Sequence, residues 1–358
     1  MTEGIDPDGS GREQEPAPSG KSRRRRIIGA VGGIALVALV FVFLLPKIAD
    51  YADVWDVVTG LSGPEIAALV VATVINVATY GPPWMAALPG LNYRQSMVLT
   101  QTSTALSVAV PGGDAVGIGA SYAMLRGWNF DRQAVAVAVV VTSVWNQIVN
   151  VVLPVLALSL LLLSGGSSPL LLTAGLIGIG AIVLLAVALV LVLRGEPQAR
   201  ATGERAERAA NRVLRVVRRP ARAGWGDAVV RFRRETIALL AKRWAVITIA
   251  AFAGHLAVFG VLLVSLRATG VGADEVTWVE ALAAWGLVRL LTAIPATPGG
   301  VGIVELGLST ALVGFGAGNA EAVAAVLLYR VLTVVPTLVL GGVLGLTWRR
   351  HRIAPTGE

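Results

Sequence analysis

Long apolar stretches, separated by short charged segments, run through most of the chain. Six of them contain roughly 19 residues or more, with few charged side chains. At a rise of about 1.5 Å per residue, such a stretch can cross the hydrocarbon core of a bilayer, which is about 30 Å thick. The pattern therefore predicts six membrane-spanning helices, at 27–45, 64–88, 133–163, 168–193, 244–266 and 320–348.

Two further apolar regions, 95–125 and 279–315, are each interrupted by the sequence Pro-Gly-Gly. The breaks are Pro111-Gly112-Gly113 and Pro298-Gly299-Gly300. Proline lacks an amide donor and glycine tolerates positive φ, so each break is expected to end a helix. Each arm would be about 24 Å long or shorter, which is less than the hydrocarbon thickness. We therefore expect two re-entrant hairpins.

The basic residues cluster where cytoplasmic segments are expected. Fourteen of the 30 Lys and Arg residues lie in 194–243, six precede Ile27 and three follow Trp348. Because cytoplasmic loops carry an excess of positive charge, this clustering predicts that both chain termini are cytoplasmic. The first hairpin would then open from the cytoplasm and the second from outside. The two halves are thus predicted to be an inverted repeat, typical of transporters with a site near the midplane.

The same pattern predicts the domain organisation. Residues 1–26 are expected to be a disordered cytoplasmic tail, 27–348 a transporter-like membrane domain and 349–358 a second cytoplasmic tail. The membrane domain includes a basic cytoplasmic loop at 194–243, where arginines alternate with apolar residues. That alternation suits an amphipathic helix on an anionic leaflet, and a solvated topological anchor is the alternative interpretation.

Composition narrows the class further. Hydrophobic residues make up 55 % of the 358 residues, charged residues make up 15 %, and the mean hydropathy is +0.72. These values exclude an ordinary soluble enzyme and a disordered protein. The chain has no cysteine and two histidines, so neither a thiolate metal site nor a histidine cluster is expected. We predict no cofactor, no catalytic residue and no nucleic-acid partner.

The few charged residues in the apolar segments are the candidates for a site. A charge near the midplane costs on the order of 3 kcal/mol and is kept for a partner or a function. Arg330 lies deep in the last span, and we expect it to pair with Glu305 or with a lipid phosphate. The half-helices after each break would present unpaired N–H groups, which attract anions. The predicted binding residues are Pro111, Gly112, Gly113, Asp114, Arg289, Pro298, Gly299, Gly300, Gly302, Glu305 and Arg330.

Other polar residues in the spans have a simpler interpretation. His255 lies in an apolar span with no acid nearby in the sequence, and we expect it to be a packed polar residue. Asn146, Gln147 and Asn150 are expected to make hydrogen bonds between helices. Asp114 and Glu305 could also be ordinary acids at helix N-termini, where a negative charge is favourable.

The second break and the last span together resemble the lysylphosphatidylglycerol synthase transmembrane family. The similar residues are Pro295 to Glu305, Leu328-Tyr329-Arg330 and Pro336 to Gly342, and the resemblance covers about 27–348. The resemblance implies lipid handling, since the membrane part of two-domain members is regarded as a flippase for aminoacylated phospholipid. We expect no synthase domain after Trp348, so the resemblance implies lipid transport without aminoacyl transfer. The first break departs from the expected pattern, because no basic residue follows until Arg126.

We therefore interpret the chain as a multi-pass lipid transporter or flippase of the cell membrane, with membrane lipids as its partners and anionic head groups also at the basic loop. A membrane-embedded transferase acting on a lipid or polyprenyl substrate is one alternative. It would need a general base and usually a metal site, whereas the acids of the basic loop are scattered among arginines. A non-transporting scaffold that recruits partners through 194–243 is the other alternative.

Overall fold

The structure is a computed structural model that describes residues 49–109, 113–163, 195–216, 224–291 and 297–348, with residues 180 and 183 singly. Two predicted spans, 27–45 and 168–193, and both predicted tails lie essentially outside these ranges. The described ranges form α-helices and one short 3-10 turn, which confirms the all-α prediction. The helices are α1 (Tyr51–Thr59), α2 (Gly63–Ala78), α3 (Pro82–Ala87), α4 (Tyr93–Ala109), α5 (Asp114–Gly127), α6 (Arg132–Leu163), α7 (Glu196–Val216), α8 (Trp225–Ala268), α9 (Trp278–Leu291), the 3-10 turn (Pro298–Gly300), α10 (Ile303–Phe315) and α11 (Asn319–Thr347).

Four helical segments are long and apolar enough to cross a membrane. They are Gly63–Ala87, Arg132–Leu162, Trp225–Ala268 and Asn319–Thr347. They coincide with four of the six predicted spans, and the protein is a multi-pass membrane protein. The first of them is α2 and α3 together, divided where Gly81 and two prolines interrupt the helix.

The helix ends follow from local sequence. Ser62 and Glu65 form a capping box at the start of α2, where Glu65 Oε2 accepts from the Ser62 N–H at 2.7 Å. Asp131 caps α6, because its Oδ2 accepts from the N–H groups of Gln133 and Ala134 at 2.7 and 3.0 Å. These bonds favour the charged carboxylate and lower the pKa of Asp131 below its usual value.

Helix α8 extends beyond the predicted span. The span was expected to begin at Trp244, but the helix begins at Trp225, so 225–243 of the predicted loop is helical and continuous with the span. After Gly226 no glycine or proline occurs until Gly254, so nothing in the sequence ends the helix where its charges end. Helix α7 packs along this extension, with Gly203 against Trp225 and Gly226.

The two broken hairpins enter from opposite ends of α11. Helices α4 and α5 form the first hairpin, and Trp128, just after α5, donates from Nε1 to the Trp348 carbonyl beyond the C-terminus of α11 at 2.8 Å. Helices α9 and α10 form the second hairpin. Gly316, after α10, lies against the Glu275 carbonyl and precedes Gly318, the N-cap of α11. The open ends are therefore at opposite ends of one spanning helix.

The end of α4 and the 3-10 turn, which we call the tips of the hairpins, meet beside the middle of α11. Helix α4 packs along the second half of α11, where Gly341 lies against Gln101. The α4 end reaches the second tip, since a Cβ placed on Gly299 would lie 2.8 Å from Val108 Cγ1. Helix α4 has 17 residues, or about 25 Å, against 29 residues, or about 43 Å, for α11. Both hairpins thus stop part-way, in the inverted arrangement that the sequence predicted.

Candidate functional site

A buried ion pair joins the second break to the last span. Arg330 Nε donates to Glu305 Oε1 at 2.6 Å, and Arg330 Nη2 donates to the Gly299 carbonyl at 2.8 Å. The other carboxylate oxygen of Glu305 accepts from the Gly302 N–H at 2.5 Å. The Glu305 and Arg330 side chains are 4 % and 14 % exposed. We call these four residues the clasp, and the predicted pairing of Arg330 with Glu305 is confirmed.

Glycine is favoured at the second break by backbone geometry. Gly299, Gly300 and Gly302 have φ values of 58°, 67° and 88°, in the left-handed region that other residues adopt at a cost. These turns bring the Gly299 carbonyl back toward α11, where Arg330 binds it, and they start α10 at Ile303. The Pro-Gly-Gly motif therefore positions the clasp as well as ending a helix.

The start of α10 is partly satisfied by the chain itself. The sequence predicted unpaired N–H groups there for a ligand, whereas the carboxylate of Glu305 already accepts from Gly302. An anionic ligand would therefore compete with Glu305 for both the Gly302 amide and Arg330. The clasp is a closed arrangement whose donors become available when Glu305 moves away.

A second set of polar side chains comes from three other helices, α6, α8 and α9. Asn150 Oδ1 on α6 lies 3.1 Å from Arg289 Nε on α9 and 3.1 Å from His255 Nε2 on α8. Asn150 Nδ2 donates to Gln147 Oε1 at 3.1 Å, and His255 Nδ1 lies 2.9 Å from the Ala251 carbonyl. We call Asn150, His255 and Arg289 the histidine cluster. The predicted roles of His255 as a packed polar residue and of Asn150 as a bond between helices are confirmed.

Two aromatic residues connect the histidine cluster to the clasp. The Arg289 guanidinium lies 4.7 Å from the centre of the Trp285 ring, at a distance suited to a cation–π interaction. Trp285 Nε1 donates to the Tyr329 hydroxyl at 3.0 Å, and Tyr329 directly precedes Arg330 on α11. Both aromatic side chains are buried. The two predicted arginines are thus linked through one pair of side chains.

Several buried polar side chains on the two hairpins lack a hydrogen-bond partner in the described part of the chain. Thr297 precedes the break and Ser309 follows Glu305 by one helical turn. Gln101 on α4 is 0 % exposed, and both of its amide atoms lack a partner. Buried polar groups are normally satisfied by protein or by water, so these positions suit a polar ligand or ordered water.

Not every predicted residue reaches the clasp. Pro111 and Gly112 lie outside the described residues, and Gly113 is the buried N-cap of α5. Asp114 is exposed and makes no hydrogen bond or ion pair with the described residues, so the structure does not bring it to the clasp. Pro298 and Gly300 belong to the 3-10 turn beside it.

The sequence interpretation missed Trp285, and it named Tyr329 only as part of the family motif, without a role in the site. Trp285 lies four residues before Arg289, and Tyr329 is adjacent to Arg330, so their positions beside two deep arginines were an available signal. The site as a whole carries two arginines, one carboxylate, one imidazole and several neutral hydrogen-bonding groups. Such a set can bind an anion and exchange a proton. Among the described residues, no group of three or more His, Asp or Glu side chains could hold a metal ion.

Comparison with known proteins identifies the family of the chain. No curated protein matches the chain. The family model described as Lysylphosphatidylglycerol synthase TM region matches residues 30–341, which is most of the chain and includes the clasp and the histidine cluster. The protein therefore belongs to the lysylphosphatidylglycerol synthase transmembrane-region family.

Proposed function

We propose that this protein moves a phospholipid, or a lipid with a related head group, between the two leaflets of the cell membrane. The observation that carries the proposal is the clasp, which lies where two hairpins from opposite ends of α11 meet. A buried ion pair adds little net stability compared with apolar residues of the same size, so its presence favours a functional role. The family takes its name from lysylphosphatidylglycerol synthase, which supports a lipid substrate.

In the proposed mechanism, a head-group phosphate replaces the Glu305 carboxylate on Arg330. An arginine guanidinium binds a phosphate with two parallel hydrogen bonds, so the exchange conserves the strongest interaction of the clasp. Glu305 then releases the Gly302 amide, which becomes a second donor for the phosphate. Return of Glu305 displaces the head group, so the carboxylate limits how long the lipid stays bound.

The two hairpins open toward opposite ends of α11, so the site can be reached from either membrane face. The first hairpin opens toward one end of α11 and the second toward the other, with the clasp between their tips. Movement of either tip away from Arg330 would open the site toward one membrane face. Such rocking of one repeat against the other around a central site is the general mechanism of inverted-repeat transporters.

The proposal also covers the orientation of the protein in the membrane and the role of the basic residues on α7 and at the start of α8. We place both termini in the cytoplasm, because the basic residues of α7 and of the start of α8 then face the anionic leaflet. Arginines on the exposed side of α7, among them Arg205 and Arg212, would attract anionic head groups to that surface. The protein moves the lipid without chemical change, and no catalytic residue is assigned.

Reconstitution tests the proposal directly. Purified full-length protein is placed in liposomes that contain a fluorescent phospholipid, and the fraction of probe that becomes accessible to an outside quencher is followed with time. We expect faster leaflet exchange than in empty liposomes. Arg330→Ala should weaken lipid binding and slow exchange by tenfold or more, a factor that corresponds to about 1.4 kcal/mol. Glu305→Gln should bind lipid more tightly and also slow exchange, because release becomes limiting.

A matched control separates the clasp from general damage. Arg132→Ala removes an exposed arginine at the start of α6, which lies outside the clasp and outside the basic helices. We expect this variant to exchange lipid at the wild-type rate. If Arg330→Ala and Glu305→Gln also match the wild type while remaining folded, the clasp is not the transport site. If wild-type protein leaves the probe in its original leaflet, the transport proposal fails.

A further inference from the structure

We infer that His255 is a proton-binding site whose occupancy depends on an anion at Arg289. The inference rests on the proposed function, because the anion is the phosphate of the transported lipid. It adds a second ligand, the proton, that the clasp does not require. The argument uses the hydrogen-bond geometry of the histidine cluster and the charge of Arg289.

The orientation of the Asn150 amide is fixed by its neighbours. Arg289 Nε carries a hydrogen at any accessible pH and lies 3.1 Å from one end of the amide. That end must therefore be the oxygen, since the nitrogen would place two donors against each other. The opposite end, Nδ2, faces Gln147 Oε1 at 3.1 Å, which agrees with this assignment. Asn150 Oδ1 is thus an acceptor toward His255.

Both ring nitrogens of His255 then face acceptors. Nε2 lies 3.1 Å from Asn150 Oδ1, and Nδ1 lies 2.9 Å from the Ala251 carbonyl oxygen. A neutral imidazole carries one N–H and can satisfy one of these contacts, whereas the imidazolium carries two and satisfies both. The geometry around His255 is therefore complementary to the protonated ring.

The surroundings oppose that protonated form unless an anion is present. His255 is 8 % exposed, and the Arg289 guanidinium binds the same oxygen as the imidazole. Among the described helices, α8 packs against α2, α3, α6, α7, α9 and α11. Their charged or titratable groups in this region are Arg289, Tyr80, Tyr329 and Arg330, and Arg330 is paired with Glu305. Arg289 is therefore the charge that repels a proton on His255.

A phosphate at Arg289 removes this repulsion. Arg289 is partly exposed and is linked to the clasp through Trp285 and Tyr329, so we place the head group where its phosphate reaches Arg289. An anion bound there favours the imidazolium of His255, and by thermodynamic reciprocity the imidazolium favours the anion. One phosphate and one proton then occupy the site together, so movement of an anionic lipid would carry a proton and respond to a pH gradient.

Nitrogen NMR of the His255 ring tests the inference without measuring transport. The chain has two histidines, and His351→Gln leaves His255 as the single imidazole. Histidine-labelled full-length protein is placed in nanodiscs of phosphatidylcholine, with or without phosphatidylglycerol, and spectra are recorded from about pH 4 to 8. At a pH where the imidazolium is the minor form, we expect phosphatidylglycerol to raise its fraction at least threefold. Equal fractions in both nanodiscs, or a ring that stays neutral throughout, would overturn the inference.

Two variants of Arg289 separate a local effect from the surface potential of the anionic nanodisc. Arg289→Lys keeps the charge and should keep the response, whereas Arg289→Gln removes the repulsion and should give a large imidazolium fraction in both nanodiscs. If Arg289→Gln responds to phosphatidylglycerol as strongly as the wild type does, the effect is the surface potential and the inference is wrong. If the protein exchanges lipid but phosphatidylglycerol does not change the protonation of His255, the inference fails and the proposed function stands. If phosphatidylglycerol changes the protonation of His255 but the protein does not exchange lipid, the proposed function fails and the proton site stands.

Discussion

Replacement of Arg330 by alanine removes both hydrogen bonds that the guanidinium makes in the clasp. Arg330 lies 2.6 Å from Glu305 Oε1 and 2.8 Å from the Gly299 carbonyl, and the Glu305 side chain that would remain is 4 % exposed. Loss of one partner of a buried ion pair costs about 3 to 5 kcal/mol, because an uncompensated group stays buried. We expect Arg330→Ala to lower the free energy of unfolding by about 4 kcal/mol.

Two other changes calibrate this value. Arg234→Ala breaks an ion pair at 3.1 Å whose side chains are 69 % and 52 % exposed, and exposed pairs contribute less than about 1 kcal/mol. The double variant Arg330→Met with Glu305→Leu replaces the buried pair by apolar side chains, and such replacements are often neutral. It should recover most of the stability lost in Arg330→Ala and should still fail to move lipid.

The assay is a denaturant titration in mixed micelles, followed by circular dichroism, of the wild type and these three variants. The single variants Arg330→Met and Glu305→Leu are added, because together with the double variant they complete a double-mutant cycle. The clasp predicts a coupling energy of several kcal/mol between positions 305 and 330. If the effects of the two single changes simply add, or if Arg330→Ala costs no more than Arg234→Ala, the pair is not a buried interaction and the reasoning fails.

Two further predictions concern packing and pH. Gly341→Ala should lower stability by about 1 to 3 kcal/mol, because its Cβ would overlap Gln101 and Ala105 of α4. Gly342→Ala, with open space around it, should leave stability unchanged or raise it by up to about 1 kcal/mol, because alanine favours the helix. Equal effects of the two changes would contradict the packing of α4 on α11. Asp131→Ala should cost about 1 kcal/mol at neutral pH. Because the folded pKa of Asp131 is lowered, its contribution is present above the unfolded pKa of about 3.9 and is lost as the pH falls through the folded pKa. The difference between wild type and Asp131→Ala should therefore disappear in strong acid, and a difference that persists would refute the capping role.

The hairpins and the ion pair could be predicted from the sequence because each has a local cause. The Pro-Gly-Gly breaks leave arms too short to cross the bilayer, and a charge as deep as that of Arg330 needs a partner. The sequence predicted a span that starts at Trp244 but not that its helix starts at Trp225, and the reason is equally physical. Charge marks where a helix leaves the membrane, and a helix such as Trp225–Ala268 continues past that point when no residue ends it.

The histidine cluster could not be predicted in the same way. Asn150 contacts residues 105 and 139 positions away, on two other helices, and no sequence pattern specifies that contact. The sequence left open whether Glu305 would act as an ordinary acid at the helix N-terminus or leave the amides after the break open, and the structure shows that it accepts from Gly302. Local sequence thus predicted where donors arise, and tertiary packing decided which of them the chain itself satisfies.

The meeting of the two hairpin tips is the central claim, and one cross-link tests it most directly. The chain has no cysteine, and a Cβ at Gly299 would lie 3.7 Å from Val108 Cβ, within the range of about 3.5 to 4.5 Å found in disulfides. Val108→Cys combined with Gly299→Cys should therefore form a disulfide on oxidation in membranes. It should stop lipid exchange until a reductant is added, while each single variant remains unaffected by the oxidant. Failure to cross-link, or undiminished lipid exchange by the cross-linked protein, would contradict a transport site formed between the tips.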